Sequence, residues 1–180
     1  MSNEPAWPPD DVLIELGRIA WAAMELEGLV KSVAQAVVGA GEEVTEADAG
    51  KQARAAGTVL DAWPQSEARD AGRRWLIAAQ DALLGRHSIL HATIVKMAVR
   101  TAGGGWEINP ALWLHHVPPK GRAHEPVQLV VSELRAMREI LVEARQGWTE
   151  VIVALSTLRE ERWAAGQIDR SYLTKRNRYG

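Results

Sequence analysis

Residues 83–95 read LLGRHSILHATIV, an apolar run broken by Arg86, His87 and His91. These three side chains have the equipment to handle a phosphodiester. Arginine keeps its charge at any physiological pH, and its planar fork matches a pair of phosphate oxygens. Imidazole, with an ordinary pKa of about 6.5, serves as base or acid near neutrality. Cleavage of RNA by its own 2′-hydroxyl needs a base for the hydroxyl proton, an acid for the departing 5′-oxygen, and a cation for the charge that builds on the phosphorane. On this reading Arg86 stabilises charge, and His87 and His91 move protons.

The same residues admit other readings. His87 and His91 are four apart and share a helical face, a spacing that also suits two ligands of one metal ion. His115, His116 or His124 would then fold back as a third ligand, although no Asp or Glu stands near the motif. In the purely structural alternative, Arg86 pairs with Glu25, Glu27 or Glu15 of the first helix and the imidazoles hydrogen-bond locally. Glu25 also offers a carboxylate that would orient His91 or Arg86. Ser88 lacks an Asp–His relay and reads as a helix-surface residue, not a nucleophile.

The elements that position the motif are helical. Val12, Leu16, Ile19, Ala23, Leu26, Val30, Val33 and Val37 recur at four- and three-residue steps, which predicts one helix from Asp10, its N-cap, to about Val38. Gly39 and Gly41 end it. A stripe of that length predicts a bundle seam, within the chain or between chains. Thr45 and Asp48 resemble a capping box opening a second, Ala-rich helix that stops before Pro64. Ser66 caps a third helix from Glu67, with Trp75, Leu76, Ala79, Leu83 and Leu90 on its buried face, and the motif in its last turns. Residues 93–126 form an inserted β-hairpin or long loop: a strand from Thr93 to Val99, a turn at TAGGGW, and a returning strand from Leu112 to Val117. Helix resumes from Val127 to Ala165, where Gly147 marks a kink or a close contact. The fold class is therefore all-α, a bundle of four to five helices in one domain, with a leader at 1–9 and a basic tail at 169–180.

Composition narrows the function classes. The net charge of −2 excludes a chain-wide electrostatic grip on nucleic acid, so any basic surface is local. Arg170, Lys175, Arg176 and Arg178 in the tail are candidates for holding RNA phosphates. Cysteine is absent, which excludes thiolate chemistry and disulfides. The acidic, proline-rich N-terminus lacks the basic start and apolar stretch of a signal peptide, and no window offers the roughly 18 apolar residues that span a bilayer. A cytoplasmic protein without a membrane partner is expected. The eight Trp are core filler for the most part, with base stacking as the alternative for an exposed one.

RHSILH, residues 86–91, resembles the R-x4–6-H motif of the HEPN superfamily, in which the residue after the arginine is Asn, Asp or His. The layout is also similar to that of small bacterial HEPN-like proteins: long helices before the motif, another after it, a hairpin between. The resemblance implies an all-α homodimer and, in many members, metal-independent RNA cleavage with no cofactor; other members are inactive binding modules. An antitoxin or nucleotidyltransferase-like partner protein would point to a toxin role. Geometry points the same way. Five-residue spacing sets Arg86 and His91 about 140° apart on a helix, so they do not converge within one chain. Two chains about a two-fold axis would bring both motifs to one cleft. The alternatives are a non-catalytic helical adaptor, using the apolar stripe and Trp residues, and a small metal-binding bundle.

Overall fold

The apolar stripe of the first helix becomes the spine of the molecule. In the computed structural model, which describes residues 7–38, 49–91, 93–113, 127–128 and 130–166, helix α1 runs Asp10–Val38 and buries Ile19, Leu26, Val30 and Val33 completely. It packs against every other described helix. Its first turn differs from expectation. Asp10 lies within the helix, and the Pro9 carbonyl accepts the N–H of Leu13 at 3.2 Å.

Helix α2 (Ala49–Asp61) stops before Pro64. The Thr45–Asp48 box, like Gly39 and Gly41, lies outside the described residues. Helix α3 (Glu67–Leu90) opens as its sequence predicts: Ser66 is extended, and its hydroxyl accepts the Arg69 N–H at 3.2 Å. Trp75, Leu76, Ala79 and Leu83 are buried on its inner face. The indole N–H of Trp75 donates to the Gln146 carbonyl at 3.2 Å, which supplies the partner a buried Trp requires.

The insertion is an antiparallel hairpin of β1 (Thr93–Arg100) and β2 (Trp106–Trp113), in register from Thr93↔Trp113 to Arg100↔Trp106. Gly104, at φ 83°, makes the turn. The returning strand thus begins at Trp106, six residues before the expected Leu112. Pro110 hid it, because proline in a run argues against a paired strand. On its far side β2 pairs with a third strand, β3 (Val127–Gln128), through Ala111 and Leu112. Residues 114–117 lie outside the described residues.

The expected helix from Val127 to Ala165 is instead β3, α4 (Val131–Ala144) and α5 (Trp148–Ala164). Gly147 separates the two helices in the left-handed conformation, φ 73°. The apolar spacing runs through the break because both helices face one core: Leu134 and Leu141 from α4, Val151 and Leu155 from α5. The result is an all-α bundle with an inserted hairpin. None of the described helices is long and apolar enough to cross a membrane.

Candidate functional site

His87 lies in the last turn of α3, Arg86 immediately before it, and His91 is the residue that ends the helix. Leu83 anchors this turn in the core. Gly85 lets it approach α4 closely, since a Cβ there would lie 3.0 Å from the Met137 methyl carbon. The His91 N–H reaches the His87 carbonyl at 3.2 Å, and His91 itself, at φ −98° and ψ 8°, leaves the helical path.

The two imidazoles meet. Their ring centroids are 4.3 Å apart with the planes inclined at 51°, and both residues are exposed. This proximity arises inside one chain.

Arg86 turns the other way, toward α1, and forms an ion pair with Glu27. Its side chain is only 20% exposed. Burial lowers its pKa from the ordinary arginine value, yet a guanidinium remains charged in any protein. Its Nε is buried without a hydrogen-bond partner among the described residues. An unspent buried N–H carries a desolvation cost that a further acceptor would relieve.

Glu27, not Glu25, is therefore the carboxylate at Arg86. Glu25 lies on the opposite flank of α1 and accepts a 2.5 Å hydrogen bond from Arg145 of α4. Glu15, almost fully buried, lies on that same flank. It receives Arg18 at 2.7 Å and Arg138 at 3.1 Å, with Arg135 at 3.6 Å. A shallow groove of about 400 Å³ between α1 and α4 carries Trp21 and Val142 among these pairs.

Among the described residues, no group of three or more His, Cys, Asp or Glu is placed to hold a metal ion. His115, His116 and His124 lie outside the described residues, as do Arg170, Lys175, Arg176 and Arg178 of the tail.

One feature of the surface was not singled out from the sequence. Trp106 begins β2 at the hairpin turn, 72% exposed, directly across the strands from Arg100. The triple glycine before it was the available signal: it fixes a turn, and the residue after a turn is held out from the body. Comparison of the chain with known protein-family models, with curated proteins and with solved structures found no match.

Proposed function

We propose that the chain is a HEPN-like, cytoplasmic RNA-binding protein that cuts RNA without a metal ion, as a homodimer, with Arg86, His87 and His91 carrying the chemistry. The observation that carries this reading is the exposed imidazole pair at 4.3 Å at the end of α3, next in sequence to an arginine whose guanidinium turns toward α1. One imidazole, neutral, takes the proton of a 2′-hydroxyl. The 2′-oxygen attacks phosphorus, and the 5′-oxygen leaves with a proton from the second imidazole, which starts as the cation. The products are a 2′,3′-cyclic phosphate and a free 5′-hydroxyl. Arg86 supplies positive charge to the phosphorane oxygens.

Glu27 sets the terms of binding. It neutralises Arg86 in the free protein, so a phosphate must share or displace that carboxylate. Trp106 with Arg100 fits an RNA strand by stacking and charge, and the basic tail offers further phosphate contacts. A partner that covers the motif, an antitoxin or a nucleotidyltransferase-like protein, belongs to the same reading.

The test is incubation of the full chain with single-stranded RNAs in chelator. Cleavage to cyclic-phosphate ends is expected, with a loss of roughly 10²–10⁴-fold in His91→Ala and an unchanged thermal midpoint. Activity that chelator abolishes and zinc restores would assign the imidazoles to a metal instead. Intact RNA with every substrate would favour the second reading, a non-catalytic helical interaction module. The observation behind that reading is that Arg86 already has a carboxylate partner while α1 leaves an apolar face exposed.

A further inference from the structure

Helix α1 carries a second stripe, on the side turned away from the core. Leu13, Gly17, Ala20, Trp21, Met24 and Gly28 are all exposed. At 100° per residue they fall within an arc of about 100° opposite Ile19 and Leu26. Asp10 closes the stripe at one end and Lys31 at the other, and neither forms an ion pair with a described residue. Trp21 is 61% exposed and Met24 55%, a large apolar outlay for a surface facing water.

The glycines sharpen the point. A Cβ on Gly72 would lie 2.9 Å from Leu155, so that glycine is explained by packing within the chain. A Cβ on Gly17 or Gly28 would meet nothing within 4 Å. Glycine inside a helix weakens it relative to alanine. Nothing in the single described chain offsets that cost, whereas the close approach of another backbone would.

We propose that this face joins two copies of the chain, α1 against α1, antiparallel about a two-fold axis between residues 20 and 21. That one register sets Asp10 against Lys31, Leu13 against Gly28, Gly17 against Met24, and Ala20 against Trp21. Every pair is opposite in charge or large against small. A parallel pairing would stack Asp10 on Asp10, Lys31 on Lys31 and Trp21 on Trp21. The stripe is thus self-complementary in the sense a two-fold interface requires.

The register has a consequence for the site, and this part rests on the RNA reading above. Glu27 and the Arg86 beside it stand six to seven positions from the axis. The two motifs then lie about 20 Å apart along the helix direction. The axis is normal to the plane of the helix pair, so both motifs open on one side of the dimer. A cleft with a motif at each end would accept one RNA strand of a few nucleotides.

Sedimentation equilibrium of the full chain tests the interface. A dimer is expected, and Trp21→Glu should raise its dissociation constant by roughly 30-fold or more. Gly17→Ala should weaken association while raising the thermal midpoint of the subunit, which separates interface loss from misfolding. Asp10→Lys and Lys31→Asp should each weaken the dimer by about two- to five-fold, and the double variant should recover it. A strict monomer overturns the proposal. So does a dimer indifferent to Trp21→Glu, built elsewhere or with the face covered by other residues of the chain, and so does a double variant weaker than both singles. RNA cleavage is read separately: a monomeric Trp21→Glu protein that still cuts RNA at full rate leaves the interface standing and removes only the two-ended cleft.

Discussion

The two flanks of α1 use the same ion pair for different ends. On the α4 side, Glu15 and Glu25 are met by Arg18, Arg138 and Arg145, with Arg135 close by. Every charge there answers another charge, and the groove between them is lined by Trp21 and Val142. On the α3 side, a single pair, Arg86 with Glu27, leaves a guanidinium N–H unspent at the end of the helix that carries two exposed, adjacent imidazoles. Arginine and glutamate alone mark neither flank as a site. The difference is in what is buried and what is exposed: a buried guanidinium N–H without an acceptor and two exposed imidazoles stand on one side, and a closed set of ion pairs on the other.

The comparison breaks most visibly at Glu15. Its side chain is 3% exposed, and its removal strands three arginines around an apolar neighbourhood. Glu15→Ala should cost roughly 2–4 kcal/mol in urea unfolding, below the full value of a buried pair because the arginines are partly solvated. RNA binding per folded molecule should not change.

The paired substitutions Arg86→Ala and Arg145→Ala sharpen the contrast. Arg86→Ala should lower RNA cleavage by about 100-fold, since it removes the cation at phosphorus. Arg145→Ala should leave cleavage intact and cost about 1 kcal/mol of stability, because its ion pair with Glu25 is a third exposed. Equal effects in both assays would erase the distinction between the flanks.

At the hairpin, Trp106→Ala should weaken single-stranded RNA binding by about ten-fold, the contribution of one stacked base, measured by fluorescence anisotropy at fixed salt. The smallest effect is the most diagnostic. Glu27→Gln removes the competitor for Arg86 and should tighten RNA by about two- to five-fold, whereas Glu25→Gln should leave affinity unchanged. A bell-shaped pH dependence of cleavage, lost in either His87→Ala or His91→Ala, would show that both imidazoles act.

Much of this was legible in local spacing. The four–three rhythm of Val12 to Val37 predicts α1 and its buried face, and Ser66 predicts the first residue of α3, because helix periodicity and capping depend on residues within a turn or so of each other. The hairpin was visible in its first strand and its glycines. The start of its second strand was not, because Pro110 reads as a strand breaker until the pairing of Lys96 with Pro110 shows it inside β2. Gly147 gave a weak signal for the same reason: an apolar rhythm cannot tell one long helix from two that share a core.

The sequence by itself determined the helical bundle, the place of the motif at the end of α3, and the candidacy of Arg86, His87 and His91. Only the tertiary structure decided which carboxylate meets Arg86. Glu25 and Glu27 are two residues apart, and on a helix that turns them about 200° from each other, to opposite flanks. Their partners come from α4 and α3, and which helix lies on which flank is a matter of how the helices pack. The same packing left Trp21 and two glycines facing outward on α1, where no local rule places them.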